Sequence, residues 1–269
     1  MKKGALIGKG MTAEVYEWGQ DHAIKFYYDW YEPEWIKHEM ENAKAVNEAG
    51  VPSPVVFEMI EEGDRLGLIY ERIMGPSMLA IMQSSPLKIA DCARKMAQLH
   101  HNIHRCGTDK LPPQKDLLEK AIRDSSDLLK EKTESVCSFL LTLPSGNRIC
   151  HGDLHPDNIL MTSSKTVAID WTNANIGNPL CDIARTCLMI RSPFIPPSTS
   201  KKMTLAIRVV KKLLHNTYLK EYSRVSNCNI ADIDSWILPV AAARLREKVP
   251  GEQKWLLNLI NSRLQQSHM

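Results

Sequence analysis

Ten consecutive residues of this 269-residue chain carry most of its recognisable chemistry: His151-Gly152-Asp153-Leu154-His155-Pro156-Asp157-Asn158-Ile159-Leu160. An aspartate is followed five residues later by an asparagine, which opens an apolar run over residues 158–161 that reads as a strand. A second strand, residues 165–170, follows a tight turn at Ser163-Ser164. In an antiparallel hairpin centred there, residues whose numbers add to about 328 face each other, which pairs Asn158 with Asp170. A carboxylate and an amide oxygen side by side are hard ligands suited to Mg2+, which keeps some waters and takes its other ligands from substrate phosphates. Asp153, on the loop just before, is then placed to orient a hydroxyl or accept its proton. These are the parts of a phosphoryl-transfer site.

The elements that must hold these residues follow from patterning. Residues 4–8, 13–18 and 22–27 read as three strands, separated by turns at Gly8-Lys9-Gly10 and Gly19-Gln20-Asp21. A helix starts at Pro33, places Ile36, Met40, Ala43 and Val46 on one stripe, and stops at Gly50. Residues 55–60 and 66–70 form a hairpin across Glu61-Glu62-Gly63-Asp64. The pattern predicts an α+β chain with a small first lobe, residues 1–74, holding a five-stranded antiparallel sheet and one helix. A larger, mainly helical lobe, residues 75–269, follows a hinge at residues 71–76. Helices are expected from Ser85-Pro86 up to Gly107, then over 116–130, 133–143, 179–190, 202–222, 230–248 and 252–264, with a loop over residues 192–198.

Residues 151–160 with Ile169-Asp170-Trp171 resemble the catalytic segment of the aminoglycoside phosphotransferase family, a branch of the bilobal protein-kinase-like fold that phosphorylates small molecules. The resemblance extends to Leu99-His100 and to Cys181-Asp182-Ile183-Ala184-Arg185-Thr186, similar to that family's D-[ILV]-A element. Residues 7–16 resemble a kinase Gly-rich loop, with Gly8 and Gly10 in place and Ala13 standing for the third glycine. The resemblance implies that Asp153 is catalytic, that Asn158 and Asp170 bind Mg2+, and that Lys25 contacts the phosphates of ATP or GTP. It implies a carboxylate partner for Lys25, with Glu39 preferred and Glu41 its rival, since two residues along a helix turn a side chain by about 200°. The base would meet the backbone between Glu71 and Ile73. His151 is expected to brace the catalytic loop, His155 is a candidate phosphate contact, and Asp182 is expected to hold the loop from the next helix. His100 is expected to be packed, with His101 and His104 exposed.

The expected partner is a small-molecule hydroxyl acceptor. Only 11 residues separate Asp170 from Asp182 and no A-P-E follows, too little for a peptide-binding activation segment. A nucleotide-binding pseudokinase is the alternative from another class. Composition is compatible with a cytoplasmic enzyme that binds neither nucleic acid nor membrane: the formal net charge is +3, and hydrophobic residues make up 43%. The first apolar run is too short for a secretory signal, and residues 237–243 fall far short of the roughly 20 needed to span a bilayer. Seven cysteines without a C-x-x-C pair suggest reduced thiols. The charge is unevenly spread: residues 183–269 carry 14 Lys+Arg against 5 Asp+Glu, whereas residues 1–72 carry 8 against 14. If the basic third borders the acceptor pocket, a neutral or anionic acceptor is favoured over a polycation.

Overall fold

The computed structural model describes residues 2–195 and 199–267. Its chain order is β1 (Lys3–Lys9), β2 (Ala13–Trp18), β3 (His22–Tyr27), α1 (Pro33–Glu48), β4 (Val56–Glu62), β5 (Arg65–Glu71), α2 (Met78–Ser84), α3 (Ile89–His104), α4 (Gln114–Arg123), α5 (Ser126–Leu129) and α6 (Lys132–Thr142). Then come β6 (Arg148–Cys150), β7 (Ile159–Met161), β8 (Thr166–Ala168), β9 (Asn175–Gly177), α7 (Pro179–Arg191), α8 (Lys201–Ser226), α9 (Ile230–Asp234), α10 (Ile237–Arg244) and α11 (Gln253–Ser267). No helix among the described residues is long and apolar enough to cross a membrane.

The first five strands form one antiparallel sheet in the order β1-β2-β3-β5-β4. Alternation along β3 divides its side chains. Ile24 and Phe26 pack with Trp18 and Ile69 on one face, while Tyr27 packs with Ala13, Leu68 and Ile36 of α1 on the other. Lys25 shares the face of Tyr27 and so points toward α1. The main core lies in the helical part, where α3 packs along α8 and every residue of α10 is buried. One backbone contact ties the sheet-bearing part to the hairpin β7–β8, Ala168 N–H donating to Pro52 O at 3.0 Å, and Met161 N–H donates to Pro76 O, in the connection before α2, at 3.0 Å.

The hairpin differs from expectation by one residue. The two-residue loop Ser163-Ser164 pairs residues adding to 327, as in Ile159 with Ala168 and Met161 with Thr166. Asn158 therefore lies opposite Ile169, whose N–H donates to Asn158 O at 3.0 Å. Asp170 has left the strand, with φ +65°.

Several helices also divide differently. Residues 86–88 form a 3-10 turn before α3, and α2, capped by the Ser77 hydroxyl accepting from Ala80 N–H at 3.2 Å, was not expected. The stretch 116–130 breaks after Arg123, and 230–248 breaks before α10, where Pro239 sits in the first turn and its missing N–H costs nothing. β9, which pairs with β6, was not expected. Pro196, Pro197 and Ser198 of the expected loop lie outside the described residues.

Candidate active site

Lys25 reaches across from β3 to α1, where its ammonium lies 2.7 Å from Glu39 Oε1. Glu39 occupies the buried stripe of α1 with Ile36, Ala43 and Val46, and Glu41 is exposed. Geometry thus pairs Lys25 with Glu39. Tyr70 OH donates to Glu39 Oε1 at 3.0 Å, and Thr172 Oγ1 lies 2.9 Å from Glu39 Oε2 and 2.9 Å from Asp170 Oδ1. Lys25 also meets Asp170 Oδ1 at 3.3 Å. Burial works against the charge on Lys25, but Glu39 and Asp170 together raise its pKa. The buried Asn42 donates to Trp171 O and Thr172 O, both at 3.2 Å, and fastens α1 beside Asp170. Sequence reasoning missed Asn42 and Thr172, since neither belongs to the recognised motifs.

Asp153 sits on the loop between β6 and β7. Burial opposes its charge, but the His155 imidazole 3.6 Å away and the Arg185 guanidinium, at 3.1 Å from Oδ1, hold its carboxyl well below the usual range. Asp170 is likewise held low, by Lys25 and Thr172 against the opposing effects of burial and the nearby Asp153 charge. Arg185 further donates through Nε to Gly152 O and pairs with Glu247 at 2.6 Å. It lies one turn of α7 beyond Asp182. That spacing, inside a motif already singled out, was the available signal for a residue sequence reasoning left without a role.

His151 is wholly buried and its ring bridges the site. Nε2 lies 3.0 Å from Ile169 O and Nδ1 accepts from Asp153 N–H at 3.2 Å, which fixes the neutral tautomer with its proton on Nε2. Burial lowers its pKa, in keeping with a neutral ring. Asp182, at the start of α7, accepts from His151 N–H at 2.6 Å and Gly152 N–H at 3.0 Å. Gly152 needs to be glycine: φ is +75°, and a Cβ there would lie 2.3 Å from Asn173 O.

The same Asp182 carboxylate meets His100 Nε2 at 2.9 Å and His104 Nε2 at 3.3 Å, while Tyr218 and Tyr222 hydroxyls lie 2.7 and 2.8 Å from the two Nδ1 atoms. His104 is therefore buried, contrary to expectation, because α8 covers this face of α3; His101 is half-buried. The two histidines and Asp182 bring their ligating atoms within 4.8 Å, but each already has hydrogen-bond partners. Burial and the neighbouring His100 push His104 down to about 4. It stays neutral in the fold, whereas the unfolded side chain would protonate near pH 6.5. This contribution to stability is complete above that pH and declines, by about 3 kcal/mol, as pH falls toward 4. Urea midpoints should drop over that range, and His104→Gln should flatten the drop; an unchanged slope would contradict the assignment.

The donor chemistry fits a hard divalent cation. Asn158 Nδ2 donates to Asp153 O at 3.0 Å, and among the described residues Asn158 Oδ1 and Asp170 Oδ2 have no hydrogen-bond partner. Gly8 and Gly10 have no positive φ, and a Cβ on either would make only ordinary contacts at 3.5 Å or more. The fold itself does not demand these two glycines. Glu71 ends β5 and Ile73 lies in the connection to α2. A cavity of about 850 Å3 opens beside Asp153, lined among others by Tyr31, Trp35, Leu117, Arg185 and Arg246.

A five-stranded sheet with one helix, joined to a helical part that carries this loop and hairpin, defines the protein-kinase-like fold. A model of the phosphotransferase enzyme family matches residues 5–198, and the chain belongs to that family. Similar solved structures include a thermostable mutant of aminoglycoside phosphotransferase APH(4)-Ia in ternary complex with AMP-PNP and hygromycin B, at 12% identity and TM-score 0.65, covering 96% of this chain and 91% of that one. Amicoumacin kinase hAmiN in complex with AMP-PNP, Ca2+ and Ami is 14% identical, with TM-score 0.60 and coverage of 98% and 88%. Choline kinase from Cryptosporidium parvum Iowa II is 13% identical, with TM-score 0.57 and coverage of 99% and 89%. Among curated proteins, the mouse (Mus musculus) acyl-CoA dehydrogenase family member 10 is 26% identical over 229 residues, which is 75% of this chain. The match spans only 21% of that protein's length.

Proposed function

We propose that this chain transfers the γ-phosphoryl group of ATP to a hydroxyl of a small molecule. The observation that carries the reading is the proximity of Asp153, Asn158 and Asp170: Asn158 bonds the Asp153 backbone, the Asp153 charge acts on Asp170, and Lys25 links Glu39 to Asp170. Residues 1–74 would bind the nucleotide, with Gly8 and Gly10 admitting close approach of the phosphates, Lys25 contacting them, and the backbone from Glu71 to Ile73 meeting the adenine. Asn158 and Asp170 would hold Mg2+, which when bound neutralises charge on the β- and γ-phosphates. The AMP-PNP in two of the similar structures supports ATP as the donor.

Asp153 is a poor base in the ground state because its carboxyl is held low. Its role is to accept the acceptor's O–H as a hydrogen bond, align the oxygen with the γ-phosphorus, and take the proton late, as a loose transition state requires. Arg185 keeps that carboxylate ionised and aimed into the cleft, and residues 75–269 build the acceptor site.

The charges lining the cavity argue for the acceptor's character. Asp124 pairs with Arg246 at 3.5 Å and Glu247 with Arg185 at 2.6 Å, while Lys120 forms no ion pair among the described residues. Acidic groups that would hold a polycation are already engaged, and Tyr31, Trp35 and Leu117 offer apolar surface. A neutral or singly anionic hydroxyl compound fits best. Incubation with Mg·ATP and a panel of homoserine, methylthioribose, choline and aminoglycosides, read by ADP release, should show turnover of an uncharged or anionic acceptor. Best turnover of an aminoglycoside would overturn the acceptor reading. No turnover, with nucleotide affinity indifferent to Asp153→Ala, would favour a pseudokinase.

A further inference from the structure

The basic surplus of residues 183–269 only touches the cleft, through Arg185 and Arg246. Between Asp182 and Glu221 the sequence has eight Lys+Arg and no Asp or Glu. Four basic side chains of α8, Arg208, Lys211, Lys212 and His215, fall at i, i+3, i+4 and i+7, the spacing that puts them on one helix face. That face lines a second cavity of about 550 Å3, closed by Arg191 at the end of α7 and Trp255 of α11. The cavity shares no lining residue with the catalytic cleft, and no carboxylate lines it among the described residues.

Like charges so arranged repel one another and concentrate positive potential in a concave site. Lys211 is half-buried and held in place, its ammonium donating to Ser192 O at 2.7 Å and Phe194 O at 3.1 Å. Burial lowers the pKa of Lys211 despite the opposing charge of Glu252, and burial together with Arg191 lowers that of His215. Arg191, Arg208 and Lys212 are exposed and form no ion pair among the described residues, so they are available to a ligand. The volume suits a small molecule, and Trp255 adds an aromatic wall.

We propose that the α7–α8–α11 cavity is a second binding site, separate from the catalytic cleft, for a small phosphate-bearing anion. Arg191, Arg208 and Lys212 supply the charge-assisted hydrogen bonds, and the fixed Lys211 adds its charge at the cavity wall.

Inorganic pyrophosphate is the probe, added without Mg2+ to the full chain and followed by isothermal titration calorimetry. Saturable 1:1 binding is expected, weakening steeply with salt and undisturbed by saturating AMP-PNP. The double variant Arg208→Glu/Lys212→Glu changes two exposed positions and should weaken binding by about 100-fold, since each charge-assisted contact contributes on the order of tenfold or more. Thermal melting checks that this variant folds, and single Arg191→Gln, with an expected loss of about tenfold, gives a second reading. Absence of saturable binding, displacement by AMP-PNP, or unchanged affinity in a folded double variant overturns the proposal. So does binding of an acidic peptide but not of pyrophosphate.

Discussion

Asp153→Ala should lower kcat by about 10²- to 10⁴-fold, the range a positioned acid–base group contributes, while nucleotide affinity stays near that of the unaltered chain. The separation follows from placement. Asp153 lies on the loop before β7, bonded to Arg185 and His155, whereas the proposed nucleotide contacts come from Lys25, Asn158 and Asp170. The removed carboxylate is the only group in the account that touches the acceptor hydroxyl. Asp153→Asn is the stricter comparison, because it keeps the size of the side chain and removes its charge; it should be nearly as slow. Rates from ADP release and affinities from calorimetry with AMP-PNP would test both. A variant that loses nucleotide binding and rate together would instead indicate that Asp153 serves the nucleotide side.

Asp182→Ala should destabilise the chain by about 3–5 kcal/mol, the usual consequence of removing one partner from a buried charged network. The carboxylate is wholly buried and has four neighbours within hydrogen-bond reach: two loop N–H groups and two imidazoles. Removing it leaves His151 N–H and Gly152 N–H without partners behind the catalytic loop. Those four residues come from α3 and the loop, Asp182 itself from α7, and Tyr218 and Tyr222 extend the network to α8. Much of a typical domain's stability of about 5–15 kcal/mol would thus be lost by one substitution. Urea denaturation followed by tryptophan fluorescence reads the effect. A midpoint close to that of the unaltered chain would mean that the network is incidental to the fold.

The sequence contained much of this arrangement, and particular residues show where its information ended. The resemblance supplied a carboxylate partner for Lys25, while the face of β3 that meets α1 is set by the packing of Tyr27 against Ile36. The preference for Glu39 over Glu41 agrees with the stripe, since Glu39 lies three residues after Ile36 and four before Ala43, although periodicity by itself treats acids as solvent-facing. Only its partners, Lys25, Tyr70 and Thr172, explain its burial. The hairpin sum missed by one residue, and with it the face-to-face pairing of Asn158 and Asp170. The two residues still share the site because Asp170 turns out of the strand into a left-handed conformation that no strand pattern contains.

Short or interrupted elements were the other losses. A three-residue strand such as β9 cannot display a period, and its existence depends on the partner β6. The break before α10 was signalled by Pro239, which marks a first turn more readily than a helix interior. Burial of His104 had one local signal, its place one turn beyond the packed His100 on α3, but its partners Asp182 and Tyr222 are 78 and 118 residues away. The unequal charge of the last third was visible from the start, but its place in the molecule was not: most of it lies along α8, away from the cleft lining.

The central claim is that Asp170 and Asn158 hold a divalent cation on which nucleotide binding depends, and one titration tests it most directly. AMP-PNP affinity should be measured with and without Mg2+ for the unaltered chain and for Asp170→Ala. The account predicts that Mg2+ tightens binding to the unaltered chain at least about tenfold, consistent with charge neutralisation at the phosphates, and that Asp170→Ala abolishes this gain. Equal Mg2+ dependence in both proteins would contradict it.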